Sequence, residues 1–504
     1  MTSSEFEGWS TLDKRTLGVT AVTMAGVAVG AAVPTTAAIV GGGARFWVAL
    51  AWVVAGAVVL VGGSVLIDLF NWKAVRYRVT PERLELAFTL VVRSRKSLQR
   101  ERIRNVDLTA NPVHRLFGVA VVTIGTGSHE SGGAGRLKLN PVSRAEAERL
   151  RAELLRRTGN VAATETDEDA PLARLEWSWI RYAPMSFLTP TLGLAAGGGL
   201  MQLSDWVGLQ EGFIDWVLNL FLGIPLVVSI LILLAIAMVV GLVGALGLFV
   251  EMWWNYRLDR EAGGTLRVRR GLFTTRSISI EEARLRGVDL VEPLGNRISG
   301  AARVDAIATG MRQSDDNDKT DYHTLLPAAP VATANRIAAE VLREPVSPTE
   351  AVRLTGHPRA ARGRLLRWWV GSVVVLLALF AILGLLLTDV LLVIGAALGV
   401  VLLPVSVLLA LDAYRNLGHG ITGRYLVGRH GTVRRSTFAL ERDGVIGWTV
   451  KQSVFQRRKG LLTVVATTAA GAGAYSVYDA GEEQGLLFAE ESVPDLLTPF
   501  LERA

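Results

Sequence analysis

Residues 103–122 read IRNVDLTANPVHRLFGVAVV, and the chain repeats that block twice: LRGVDLVEPLGNRISGAARV at 285–304 and VIGWTVKQSVFQRRKGLLTV at 445–464. Val106, Val288 and Trp448 share one position, Arg115, Arg297 and Arg457 a second, and Gly118, Gly300 and Gly460 a third. Chance can supply one such match, but the same spacing three times marks an internal repeat. Upstream, Tyr77-Arg-Val-Thr80 opens the first copy and Tyr256-Arg257 the second, whereas the third opens on His419-Gly420. Leu84 aligns with Leu266 and Leu426, Arg93 with Arg435, and Leu98 with Leu440, after a short insertion near Glu261–Gly264 in the second copy.

Alternation at Val75, Tyr77 and Val79 and at Leu84, Leu86 and Phe88 predicts strands, as does the β-branched run Val119–Ile124. Each copy is expected to close with a helix. Ser143 and Glu146 form a capping pattern ahead of Ala147, Leu150 and Leu154, and Val331, Ala334, Ile337, Ala338 and Val341 line a face in the second copy. In the third, Ser492 is expected to cap a helix carrying Leu496, Leu497, Phe500 and Leu501. About seven strands and one helix make a small bent sheet or open barrel plugged at one end.

Between the copies lie apolar runs in pairs: Leu17–Val40 with Phe46–Phe70, Pro184–Leu203 with Leu218–Val250, and Trp368–Leu387 with Val390–Leu411. About 20 apolar residues cross a ~30 Å hydrocarbon core, so six spans are expected. The run at 184–203 is the weakest, interrupted by Pro184, Pro190 and Gly197–Gly199. These runs account for a hydrophobic content of 50% and a mean hydropathy of +0.35 over 504 residues. The first run is too long for a signal-peptide core and a second span follows closely, so it is read as retained. The turn at 204–217 carries Asp205, Glu211 and Asp215 without Lys or Arg, while the long polar segments hold nearly all the Arg. The positive-inside rule then puts both termini and all three polar segments in the cytoplasm.

The expected organisation is a first transmembrane pair at 1–70, a β-rich domain at 71–158, and a linker at 159–183. A second pair follows at 184–252 and a second domain at 253–344. After a linker at 345–366 come the third pair at 367–412 and the third domain at 413–504. The linkers are polar, with an acidic TETDED stretch at 164–169 and a Pro-rich 344–358.

No cysteine is present, which excludes disulfides, thiolate zinc and a Cys nucleophile. The six histidines show no metal-ligand spacing, and no HExxH, GxSxG or GxxxxGK[ST] pattern appears. Neither a cofactor nor a metal site nor catalytic residues are expected. Asp68, Glu251 and Asp412 sit at span ends, leaving the spans without the buried ionisable groups that transporters retain. Net charge is +7, from 53 Lys+Arg against 46 Asp+Glu, and only seven of the basic residues are Lys. Basic clusters on the domains are Arg93, Arg95, Lys96, Arg100, Arg102 and Arg104; Arg267, Arg269 and Arg270; and Arg434 and Arg435. Each Lys or Arg near an anionic leaflet contributes about 1 kcal/mol, so these form a candidate anionic-lipid or partner surface. No aromatic residues interleave with them, and nucleic acid is not an expected partner.

The sequence Tyr77-Arg-Val-Thr80, the 103–106 stretch Ile-Arg-Asn-Val and the 115–122 stretch Arg-Leu-Phe-Gly-Val-Ala-Val-Val resemble the bacterial pleckstrin-homology-like (PH-like) domain family. With helix pairs and three copies, the chain is similar to the YdbT-like multi-pass membrane proteins. The resemblance implies three seven-stranded half-open barrels, each capped by a C-terminal helix, and no enzyme activity. The third copy departs from it at His419-Gly420 and at Ile446-Gly-Trp-Thr449. The chain is read as a non-catalytic inner-membrane binding or assembly scaffold, and the resemblance implies a part in envelope maintenance or tolerance of membrane-active agents. Its partners would be membrane lipids and another protein, either a smaller one-domain PH-like membrane protein or a second copy. Alternative readings are a lipid-handling or transport protein with a cavity near Pro190, and an unrecognised membrane-bound hydrolase.

Overall fold

The computed structural model describes residues 9–89, 93–103, 105–125, 136–155, 171–186, 188–206, 210–261, 264–310, 323–494 and 496. The chain divides into two units, Met1–Glu281 and Glu282–Ala504.

In the first unit a two-residue strand, β1 (Ser10–Thr11), precedes helices α1 (Thr16–Gly41) and α2 (Phe46–Ala74). Strands β2 (Val75–Val79), β3 (Arg83–Thr89) and β4 (Arg93–Gln99) follow, then β5 (Asn105–Ala110), α3 (Pro112–Leu116), β6 (Val119–Gly125), β7 (Arg136–Ser143) and α4 (Arg144–Leu155). The pattern restarts with β8 (Ala173–Arg174), a 3-10 stretch at Trp177–Met185, α5 (Leu188–Trp206), α6 (Gln210–Leu220) and α7 (Leu226–Trp253). The unit ends on β9 (Arg257–Glu261), β10 (Thr265–Arg270) and β11 (Thr275–Glu281).

The second unit opens with β12 (Leu285–Pro293), α8 (Leu294–Ile298), β13 (Ala301–Ala308), β14 (Thr324–Pro330) and α9 (Val331–Leu342). Next come α10 (Pro348–Ala351), β15 (Thr355–Gly356), α11 (Arg359–Leu386) and α12 (Asp389–Arg415). The last repeat contains β16 (Gly418–Thr422), β17 (Tyr425–His430), β18 (Arg434–Glu441), β19 (Val445–Lys451), α13 (Val454–Arg457), β20 (Leu461–Thr468), β21 (Ala474–Gly481) and α14 (Glu482–Ser492).

Among the described residues the strands form four antiparallel sheets. Two are seven-stranded, with orders β7-β6-β5-β11-β10-β9-β8 and β14-β13-β12-β18-β17-β16-β15. A four-stranded sheet, β1-β2-β3-β4, lies in the first unit and a three-stranded one, β19-β20-β21, in the second. The short strand before each set of helices joins the sheet after it: Ser10 faces Tyr77, Ala173 faces Leu258 and Thr355 faces His419. The sequence reading missed these strands, because two residues are too few to carry a period.

The first domain's core is built as the alternation predicts. Tyr77, Leu84, Val106, Val122 and Ile124 are buried together, and Ala147, Leu150 and Leu154 of α4 plug the open end. The third domain repeats this at Leu426, Leu440, Leu462, Val464 and Ala466 against Phe488 and Ala489 of α14. Each buried aliphatic side chain contributes roughly 1.5–3 kcal/mol from leaving water. The Arg–x–x–Gly positions do one job three times. Gly118, Gly300 and Gly460 take φ of 67°, 70° and 59°, a region that favours glycine. Their carbonyls accept from the first helical N–H of α4, α9 and α14, in Arg144, Val331 and Glu482, at 3.0–3.1 Å. The turn that ends one short helix thereby satisfies the start of the terminal helix.

Among the described residues, five helices are long and apolar enough to cross a membrane: Thr16–Gly41, Phe46–Ala74, Val228–Trp253, Arg359–Leu386 and Asp389–Arg415. Three differences from the sequence reading have physical causes. The run Leu218–Val250 is not one helix, because α6 ends at Leu220 and α7 starts at Leu226, right after Pro225, which lacks an N–H to continue a helix. The helix expected over Pro184–Leu203 starts only at Leu188 and runs 19 residues. It packs on α7 through Gly193 and Gly241, where a Cβ would lie 1.8 and 1.9 Å from backbone oxygens of Ala237 and Thr189; Gly197–Gly199 face open space. The third domain carries a helix at Glu482–Ser492 that the sequence reading did not place, and of the stretch expected to be helical after Ser492 only 493, 494 and 496 are described. Leu497, Phe500 and Leu501 lie outside the described residues, as do 126–135, with its Gly-rich loop, and the acidic stretch at 164–169.

Candidate functional site

The most repeated surface in the molecule is a seam between strands of successive domains. Strand β11 of the second domain pairs with β5 of the first, and β18 of the third pairs with β12 of the second. The last strand of each domain's N-terminal half thus adds to the first strand of the preceding domain's C-terminal half. The register is the same in both. Ile280, aligned with Leu98, faces Asn105, and Leu440, also aligned with Leu98, faces Gly287, which aligns with Asn105. Arg276 faces Thr109, and Ser436 faces Val291, at another shared pair of positions.

Charged side chains lock each seam. In the first, Arg267 is buried and reaches both oxygens of Glu148 on α4 at 2.7 and 3.0 Å, and Ser277 at 2.7 Å. Arg151 of α4 answers with Glu261 at 2.7 and 3.1 Å. Burial alone would raise the Glu148 and Glu261 carboxyls; contact with Arg267 and Arg151 outweighs it and holds both below the usual range. In the second, Arg435 grips Glu292 through two hydrogen bonds of 2.6 and 2.7 Å, and the Ser436 hydroxyl donates to Asp289 at 2.6 Å. Burial, with the neighbouring Asp305 charge adding to it, pushes the Asp289 carboxyl up to about 6 although Ser436 donates to it. An open cleft lined by Glu292, Asn335, Glu350, Arg429 and Arg435 runs beside this seam.

The basic residues singled out in the sequence divide between structure and surface. Arg267 and Arg270 are buried, the latter with its guanidinium 4.3 Å from the Trp253 ring centre. Arg435 is spent on Glu292. Arg100 donates to the carbonyls of Pro81 and Glu153, covering the last turn of α4. Arg95 lies on exposed β4 but pairs with Glu85 at 2.9 Å and stacks on Trp9. Lys96 is exposed; Arg269 and Arg434 are half exposed, 3.7 Å from Glu261 and 3.9 Å from Asp305. Arg104 and the side chains of Arg93 and Arg102 lie outside the described residues. Tyr77, Tyr256, Val106 and Val288 are core residues, Trp448 is half-buried against Phe488, Arg115 donates to the Leu272 carbonyl, and Arg297 pairs with Asp412 at 2.8 Å. Arg457 lies in the last turn of α13.

Sequence reasoning missed a buried histidine pair. His357 and His419 touch through ring nitrogens at 2.9 Å, with Phe488 edge-on to His419. Burial and the neighbouring His357 charge push His419 down to about 4. The signal was present, since His419 stands where the first domain has Tyr77.

Repeated β-rich modules, each preceded by apolar helices, define a membrane-associated protein with internal PH-like repeats. A family model described as bacterial PH domain matches residues 20–158, 217–345 and 372–491, and the chain belongs to that family. Comparison with curated proteins and with solved structures returned no match.

Proposed function

We propose that the chain is a non-catalytic inner-membrane scaffold with six spans in three pairs and three cytoplasmic PH-like domains that bind protein partners. The observation that carries this reading is the pair of inter-domain seams. The chain already uses its sheet edges as protein–protein interfaces, a generic recognition mode. Counting α5 as the sixth span keeps Arg-rich domains on one side, in line with the positive-inside rule. Contact of α5 with α7 through Gly193 and Gly241 favours tight packing over a substrate cavity there. The exposed cations Lys96, Arg269 and Arg434 supply an anionic-lipid contact at the leaflet. A part in envelope maintenance or tolerance of membrane-active agents completes the proposal.

Crosslinking and affinity capture from native membranes test it, comparing wild type with Arg95→Glu/Lys96→Glu. Specific partner proteins are expected with the wild type and depleted at least severalfold in the variant. Capture of lipid alone would overturn the scaffold. Unchanged partners and unchanged lipid recovery in the variant would remove the basic edge from the binding surface.

A further inference from the structure

Among the described residues, two strands lack the neighbour their counterparts have. Strands β11 and β18 are interior to their sheets, while β4, the same element in the first domain, ends its sheet. Strands β5 and β12 are interior as well, while β19, the same element in the third domain, ends its sheet. Each seam joins one strand of each kind, and among the described residues one edge of each kind is left unfilled.

We propose that β4 of one copy pairs antiparallel with β19 of a second copy, continuing between molecules the seam that the chain builds twice within itself. This deepens the scaffold reading and rests on it. The shared register of the internal seams fixes the alignment: Leu98 faces Gly447, Ser97 faces Trp448 and Ser94 faces Lys451.

Two observations at β19 support the occupant. At the position shared by Leu108, Leu290 and Val450, the seams bury the first two to 8% and 6% exposure, while Val450 stands 43% exposed. The second observation is a clearance. Strand β12 carries a register shift between Leu285 and Gly287, and β19 carries the same shift between Val445 and Gly447. A Cβ on Gly287 would lie 1.9 Å from the Ala439 carbonyl oxygen of the paired strand. At Gly447, a Cβ meets nothing within 4 Å, so the room for an incoming strand is there without the strand. Charge opposes the pairing only weakly. Arg95 is already matched by Glu85, Lys96 would face Thr449, and exposed like charges are screened. Because the two edges differ, the contact is head-to-tail and extends into a ring or a line rather than stopping at a symmetric dimer.

The absence of cysteine makes the test clean. Two differently tagged full-length copies, one Ser94→Cys and one Lys451→Cys, are co-expressed in membranes and oxidised. Facing residues in an antiparallel ladder have Cα atoms about 4.5–5.5 Å apart, within disulfide reach. A disulfide dimer carrying both tags is expected, at least tenfold above the out-of-register pair of Ser97→Cys with Lys451→Cys. Adding Gly447→Val, which has open space in the single chain, should abolish it. A Thr109→Cys/Arg276→Cys chain, crosslinked across its internal seam, confirms the oxidation conditions. The proposal is overturned if that control oxidises while the in-register pair does not, if Gly447→Val changes nothing, or if Ser94→Cys copies link chiefly to each other. Should it fail while native partners are still captured, the scaffold reading stands without self-pairing; loss of both removes the scaffold too.

Discussion

Strand β18 and strand β4 occupy the same place in the repeat, one closed in by a neighbouring domain and one bare. The closed strand places Phe438 in the core of the third domain, opposite Gly428, where an added Cβ would lie 2.4 Å from the ring. The bare strand has Lys96 at that position, opposite Leu86. Large-plus-small and small-charge-plus-large are two solutions to one cross-strand pair. Strand β11 takes an intermediate form, Ile278 opposite Val268. The side chain tolerated follows from what covers the strand, and the charge on β4 restricts which strands can pair with it, a common device against indiscriminate pairing.

The largest effect should come from erasing this difference in the closed direction. Phe438→Lys buries an unpartnered ammonium, and we expect a loss of more than about 4 kcal/mol, read as early protease cleavage of the third domain. Next comes the buried histidine. His419 must stay neutral in the folded domain, while the unfolded chain takes up a proton below about pH 6.5. Stability is therefore whole above that pH and falls progressively towards pH 4, by about 3 kcal/mol at the bottom of the window. His419→Tyr, which restores the residue type of Tyr77, should flatten the pH profile of the third domain's thermal transition. A smaller effect separates two glycines. Gly287→Ala should cost about 2 kcal/mol because the paired strand's carbonyl must move, whereas Gly447→Ala should leave the melting temperature of the single chain unchanged. Smallest of all, Lys96→Ile should change stability by less than about 0.5 kcal/mol, since the site is exposed, and should instead increase self-association in light scattering.

The threefold repeat, the strand-rich modules and the helical plug of the first two domains were legible because period-two and helical alternation are local. Leu84 with Leu98, and Ala147 with Leu150, announce their own faces. The seams were not legible. The alternation of β11 is the same whether Ser277 lies beside its own domain or beside Leu108 of another, because pairing partners leave no mark on a strand's period. The fates of Arg267 and Arg435 were hidden for the same reason. Their carboxylate partners, Glu148 and Glu292, lie 119 and 143 residues away in sequence. Helix α14 was not legible for another reason: it starts after Gly481, with no side chain to cap it and so no Ser or Thr signal.

The two-residue strands ahead of the helices clasp each loop: the chain leaves a sheet, runs through two helices in the first and last repeats and through α5, α6 and α7 in the middle one, and returns to that sheet beside its point of departure. A pull on the first helix of each loop therefore meets the clasp before it meets the domain interior, whereas the last helix runs on into a strand that carries a core residue, as α2 does into β2 with Tyr77. Ser10–Thr11 or Thr355–Gly356 would have to shear from the rim first. Load carried by the first helix thus arrives at the margin of the sheet, where two paired residues can give way and re-form before the plugged core is strained.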